Sequence, residues 1–301
     1  MLIGYFGGDT AGRTIDAVVA DAKAAEADGF SVYAMSQIFG MDTMGVLGIV
    51  GREVPRIELA TGVVPTYGRH PVTMAQQALT VQAASGGRFA LGIGLSHQIV
   101  IENMFGMSFD KPLRHMREYL DVLMPLLNEG KADVDGETIS THVGIDVADR
   151  KPPTVLIAAL GPKMLELAGS VTDGTVTWMT GPATLESHIV PVISAAAERA
   201  GRPAPRVIAA LPICVTNDVD AARESAAQGF LTYGFLPSYR AMLDREGAAG
   251  PADVAVIGDE ASVTKQLNRI ADSGATEFVA SIFGDSKEER AETRALLKSM
   301  I

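Results

Sequence analysis

Two kinds of apolar pattern alternate along this chain. Nearly unbroken apolar runs, rich in Val, Ile and aromatic residues, occur as LIGYF near residue 2, FSVYAM near 30, IELATGVV near 57 and RFALGIG near 88. Four more follow: TVLIAAL near 154, GTVTWMT near 174, RVIAALPICV near 206 and EFVASIF near 277. A strand exposed on one face alternates apolar with polar, so unbroken runs predict strands buried on both faces. Between them, apolar residues recur at helical spacing. Thr14 to Asp28 is stopped by Gly29, and Pro71 to Ser85 opens on a first-turn proline and stops at Gly86-Gly87. Pro112 to Leu127, Pro182 to Ala200, Ala261 to Asp272 and Lys287 to Met300 read as helices too.

Eight strands linked by helices require parallel pairing with helical crossovers. Eight such units in one chain predict a (β/α)8 TIM barrel forming a single domain over residues 1–301. Two segments break the repeat. Residues 131–150, after the fourth helix, carry turn signals and β-branched residues and predict a hairpin. Residues 234–256 mix Gly, Pro and a short helical piece, and lengthen the strand 7–8 region.

Composition narrows the function. Of 301 residues 47% are hydrophobic, enough for a sizeable core. The net charge of −11 argues against nucleic acid and against an anionic membrane surface, since both need a cationic face. Cys214 is the only cysteine, so no intramolecular disulfide forms, and a reducing cytoplasm is the expected location. The start, MLIGYFGGDTAG, lacks the basic and apolar regions of a signal peptide. No apolar run reaches the roughly 18 residues of a membrane span.

In a barrel of this kind, chemistry collects at the C-terminal ends of the strands. Those ends carry Gly7-Gly8-Asp9, Ser36 to Phe39, Gly62 to Tyr67, Gly94 to His97, Ala158 to Lys163 and Trp178 to Pro182. The last two share a Gly-Pro step into a helix. Free backbone N–H groups at such a start can hold an anion, and Lys163 would add a charge. The plainer reading is that Gly-Pro simply starts a helix. Gly92-Ile-Gly94 suggests a dinucleotide loop, but the fingerprint fails because its third glycine position is His97. The five histidines are scattered with no ligand spacing, so no metal site is expected. His97 alone among them falls at a strand end.

Four segments carry a resemblance: ATGVVPTYGRHPVTMAQQALTVQAASGGRFALGIG, RHMREYLDVLMPLL, VLIAALGPKMLELAGSVTDGTVTW and VAVIGDEASVTKQLNRIADSGATEFVASIF. Together they span nearly the whole chain and resemble the bacterial luciferase-like flavin and deazaflavin enzymes. The resemblance is nearest to actinobacterial oxidoreductases that use coenzyme F420. It implies a ring supported by a bulge in strand three with a cis bond at Gly62–Val63. Gly94 and Ser96 join Gly62 and Val63 as implied cofactor contacts. It places the cofactor phosphate at Ala158, Ala159, Leu160, Gly161, Pro162 and Lys163, with Thr180 and Gly181. The sugar-phosphate dehydrogenases of the family carry Asp-His after strand two, where this chain has Gln37 and Ile38. Their acidic residue after strand four is matched by His97. Gln37, His97 and Tyr67 are therefore the candidate catalytic groups. Phe39, Tyr67, Met104, Phe105 and Trp178 suggest an apolar or conjugated substrate.

The expectation is an oxidoreductase transferring hydride between F420 and a small organic substrate, working as a cytoplasmic homodimer. An FMN-dependent monooxygenase of the same family is the first alternative. A non-catalytic deazaflavin-binding protein is the second.

Overall fold

A computed structural model describes all 301 residues. In chain order the elements are β1 (Leu2–Gly8), α1 (Ile15–Asp28), β2 (Val32–Met35), α2 (Thr43–Glu53), β3 (Glu58–Thr61), β4 (Val64–Pro65), α3 (Pro71–Ala84) and β5 (Phe89–Gly94). A π-helical turn (Val100–Met104) then leads to α4 (Pro112–Asn128), β6 (Lys131–Val134), β7 (Thr141–Gly144), β8 (Thr154–Ile157), α5 (Pro162–Val171) and β9 (Gly174–Trp178). The remainder is α6 (Pro182–Thr184), a second π turn (Leu185–Ile189), α7 (Val190–Arg199), β10 (Arg206–Val215), α8 (Val219–Gly229), α9 (Pro237–Glu246), β11 (Val256–Gly258), α10 (Glu260–Asp272), β12 (Glu277–Ile282) and α11 (Lys287–Ser299).

All eight apolar runs form strands. They are β1, β2, β3 with β4, β5, β8, β9, β10 and β12, each beside its predecessor, and the fold is a (β/α)8 barrel. The expected hairpin is present as β6 and β7, antiparallel from Lys131↔Gly144 to Val134↔Thr141. Its turn is pinned by Glu118 of α4, whose carboxylate accepts the backbone N–H of Thr138 at 2.8 Å and of Ile139 at 3.0 Å. The second insertion holds α9 between two short 3-10 turns. No helix is long and apolar enough to cross a membrane.

The chain divides into two compact units. One comprises Gly8–Ala24 and Met35–Ala158. Its ladder runs β3 to β5 (Leu59↔Phe89), β4 to β5 (Val64↔Ile93) and β5 to β8 (Ala90↔Thr154 to Ile93↔Ile157). All six residues of β5 are buried, as the lack of alternation predicts. Gly92 is needed there because a Cβ would overlap the Thr61 carbonyl. Between β3 and β4 the ladder is interrupted, and the Thr61 hydroxyl substitutes. It accepts the Gly92 N–H and donates to the Gly92 carbonyl, both at 2.8 Å.

The other unit comprises Met1–Gly7, Ala25–Ala34 and Ala159–Ile301. Here β1 pairs with β12, and β10 pairs with β9, β11 and β12. At the strands' N-terminal ends Arg206 grips the buried Glu277 through two bonds, at 2.7 and 2.8 Å. A planar guanidinium matches a carboxylate in this two-point way.

Candidate active site

Between β3 and β4 the Gly62–Val63 peptide bond is cis. The bulge is tied to the end of β2: the Gly62 N–H donates to the Met35 carbonyl at 2.7 Å, and the Gln37 N–H donates to the Val63 carbonyl at 3.1 Å. Gly94, the last residue of β5, lies against Val63. A Cβ on Gly94 would stand 2.8 Å from Val63 Cγ2 and 3.3 Å from Ala158 Cβ. Its carbonyl accepts the Thr66 N–H at 2.9 Å. Ser96 follows in the left-handed region (φ +58°), and the His97 carbonyl receives the N–H groups of Val100 and Ile101 as the π turn begins. The His97 imidazole is half-buried, and burial holds its pKa below the usual histidine value. It is neutral at pH 7, with one ring nitrogen as donor and one as acceptor.

Gln37 is engaged in structure. Its side-chain oxygen accepts the Thr43 N–H at 2.8 Å and faces Arg69 at 3.4 Å, while its amide nitrogen donates to the Ile38 carbonyl at 3.4 Å. Arg69 in turn pairs with Asp42, which caps α2 through the Gly45 N–H at 2.8 Å. Gln37 thus joins the cap of α2. Tyr67 is buried between two rings. It stacks on His115 with centroids 4.1 Å apart and planes 7° apart, and on Phe109 at 5.4 Å. Its hydroxyl, cut off from solvent, has no hydrogen-bond partner. Burial, with Asp110 adding to it, raises the phenol's pKa.

In the other unit, the two Gly-Pro helix starts differ. At α5, Gly161 supplies no side-chain cap, and the first turn has no acidic residue. Pro162 has no N–H, and Met164 and Leu165 donate to the Gly161 carbonyl at 3.1 and 3.0 Å. Lys163 is left at an open end: Gly161, Pro162 and Lys163 are all exposed, and nothing lies within 4 Å of a Cβ built on Gly161. The preceding loop is fixed by Ala159 N–H to Thr175 at 3.3 Å and by His188 to the Leu160 carbonyl at 2.8 Å.

The second start, at α6, already holds an anion. The Glu246 carboxylate of α9 accepts the N–H of Ala183 at 3.0 Å and of Thr184 at 2.7 Å. Thr180 and Gly181 are buried, and a Cβ on Gly181 would overlap the Glu246 carboxyl group. The missing side chain at Gly181 is therefore explained by Glu246. Just before it, Trp178 meets Phe6, Phe230 and Tyr233 with centroids 6.0, 6.0 and 5.8 Å away. Its indole nitrogen is buried without a partner.

Arg69, His115 and Glu246 were not singled out from the sequence. Arg69 and His115 lie in the segments TYGRHP and RHMREYL, where the signal was one of family pattern and not of role. Glu246 meets its N–H partners across more than 60 residues of chain, a pairing with no local signature.

The strand order defines the class as a (β/α)8 barrel, with candidate chemistry at the strand ends. Residues 2–292 match the family model described as luciferase-like monooxygenase, and the chain belongs to that family. A 5,10-methylenetetrahydromethanopterin reductase from Methanolobus tindarius is 29% identical over 298 residues, covering 89% of this chain and 91% of the relative. The solved coenzyme F420-dependent tetrahydromethanopterin reductase from Methanopyrus kandleri superposes with a TM-score of 0.83. It is 21% identical, with 100% of this chain and 99% of that one covered. The oxygenating component of 3,6-diketocamphane monooxygenase from Pseudomonas putida, solved with FMN, superposes at 0.77 with 16% identity. There the coverage is 99% of this chain and 96% of that one.

Proposed function

We propose that this protein transfers a hydride between coenzyme F420 and a small organic substrate. The observation that carries the reading is the contrast between the two helix starts. One is open, uncapped and carries Lys163; the other is filled by Glu246. An open helix start with one lysine suits a phosphate group, which F420 and FMN both carry. Similarity to a putative coenzyme F420-dependent oxidoreductase from Mycobacterium tuberculosis, 30% identical over 192 residues and covering 57% of this chain and 52% of that one, favours F420 of the two.

Under this reading Gly62, Val63, Gly94 and Ser96 would hold the ring. Residues Ala158 to Lys163 would hold the phosphate, as the resemblance implies. The bound deazaflavin supplies a two-electron carrier, because carbon replaces the flavin nitrogen that handles oxygen. The chain's own residues orient and hold protons. Neutral His97 can give or take a proton at a substrate oxygen, with its burial keeping the imidazole uncharged at neutral pH. The Tyr67 hydroxyl is a buried donor with no partner inside the protein, which fits a ligand bearing a carbonyl acceptor. Gln37 holds the α2 cap that shapes this end of β2, a role one step removed from chemistry. Exposed Phe39, Met104 and Phe105 favour an apolar substrate face. The reading includes a homodimer working in the cytoplasm.

The test is anaerobic loss of reduced F420 on mixing with enones, quinones and alcohols. Turnover with one class supports the reading. No turnover with any, alongside tight deazaflavin binding, would favour a sequestering protein instead.

A further inference from the structure

The fold buries the Tyr67 hydroxyl and leaves it unused. The residue is 5% exposed, and its oxygen has no partner. A buried hydroxyl without a bond is destabilising relative to the same ring without it, so phenylalanine would serve packing at least as well. The ring is also held with unusual definition. His115, on α4, stacks nearly parallel to it at 4.1 Å. The same imidazole reaches the hydroxyl of Thr66, the residue before Tyr67, through Nε2 at 3.0 Å. Thr66 is anchored by its N–H to the carbonyl of Gly94. One helical turn beyond His115, the Tyr119 hydroxyl donates to the Arg69 carbonyl at 3.0 Å. Helix α4 therefore grips residues 66–69 at two points, with the phenol between them and the end of β5 alongside.

We propose that the Tyr67 hydroxyl is a hydrogen-bond donor to a carbonyl oxygen of the bound ligand, and that His115 is the positioning residue that holds it. The proposal rests on the oxidoreductase reading and adds a residue pair to it. The carbonyl belongs either to the cofactor ring or to the substrate. No covalent bond changes at Tyr67; its O–H dipole meets the acceptor. His115 acts only through the stack and the Thr66 bond.

Four proteins test it: wild type, Tyr67→Phe, His115→Ala and the double variant. Tyr67→Phe is expected to melt at or above the wild-type temperature while weakening ligand binding about two- to tenfold, the range for one neutral hydrogen bond. Fluorescence titration with F420 alone separates the two sources. A weaker dissociation constant assigns the bond to the ring carbonyl; an unchanged constant with a raised KM or lowered kcat assigns it to the substrate. His115→Ala should show a loss of the same kind, and the double variant should be no worse than Tyr67→Phe. Where His115→Ala does not fold, His115→Phe, which keeps a ring on Tyr67 and drops the Thr66 bond, takes its place. Losses that multiply in the double variant would overturn the positioning role. A Tyr67→Phe protein that binds and turns over like wild type, or melts well below it, would overturn the donor role. A wild-type protein that binds neither F420 nor FMN refutes the oxidoreductase reading itself, and the melting comparison then decides whether the hydroxyl lacks a partner.

Discussion

A methyl group added at residue 94 presses on the cis bulge at Gly62–Val63. In Gly94→Ala the new Cβ would sit 2.8 Å from Val63 Cγ2 and 3.3 Å from Ala158 Cβ. Ordinary contact begins near 3.4–4 Å, so Val63 must give by about half an ångström or more. Val63 is β-branched and holds few χ1 choices, so the strain passes to the backbone of the bulge. Overpacking of this kind costs about 1–3 kcal/mol. With roughly 2.1 cal/mol/K of unfolding entropy per residue over 301 residues, about 0.6 kcal/mol/K, that lowers the melting temperature by about 2–5 °C. Under the proposed function the same shift should weaken cofactor binding, because the surface that would seat the ring moves. A second variant makes the reasoning sharp. Val63→Ala removes the offending Cγ2, and the Val63 Cβ stands 3.9 Å from the built methyl, an ordinary contact. Gly94→Ala should therefore cost much less in the Val63→Ala background than in wild type, a coupling of about 1 kcal/mol or more. Differential scanning fluorimetry on the four proteins, with cofactor titration of each, reads both quantities. Equal losses in both backgrounds would refute the assignment of Gly94's role to Val63.

The other predictions are more local. Glu246→Ala leaves the Ala183 and Thr184 N–H groups without their carboxylate, and a loss of about 2 kcal/mol, or about 3 °C, is expected by thermal melting; an unchanged midpoint would mean water replaces the carboxylate at no cost. Lys163→Ala should weaken F420 binding about tenfold or more while leaving the phosphate-free ribityl deazaflavin unaffected, measured by fluorescence titration; equal effects on both would remove Lys163 from phosphate binding. Burial lowers the pKa of both His97 and His115, so the unfolded chain takes up protons that the folded one resists. Their contribution to stability should be full above about pH 6.5 and fall as the pH drops below it, until the folded-state values are passed, while His142, raised by Asp133, contributes in the opposite sense. His115→Gln should flatten this slope; an identical slope would show that His115 does not contribute.

Much of the barrel was legible because strands buried on both faces leave unbroken apolar runs. The missed elements lack that mark. Helix α2 has Gly45, Gly48 and Gly51 within eleven residues, a poor intrinsic helix former. It forms because Asp42 caps it and Met44, Leu47 and Val50 are buried, while Gly51 admits the close approach of Ser85, 3.0 Å from a built Cβ. Helix α8 is short and rich in alanine and charge, and β11 has three residues that read as part of the preceding loop.

The site divides the same way. The cis bond at Gly62–Val63 and the uncapped start at Gly161-Pro162 sit where pattern and resemblance pointed. Gln37 looked like a free polar group at a strand end. Its side chain turns back to Thr43, a choice set by the helix that the sequence pattern had not shown. Thr180-Gly181 looked like a twin of Gly161-Pro162. The difference comes from Glu246, far along the chain, and only the fold brings the two together. The lone aromatic at Tyr67 gave no hint of its stack on His115, because the two are 48 residues apart in sequence yet packed ring to ring.

The most direct test of the central claim is an equilibrium titration of the purified protein with oxidised F420 and, separately, with FMN, followed by fluorescence. The account predicts saturable binding of F420 that is tighter than that of FMN and is weakened by Lys163→Ala. Tight FMN binding with no binding of F420 would contradict it.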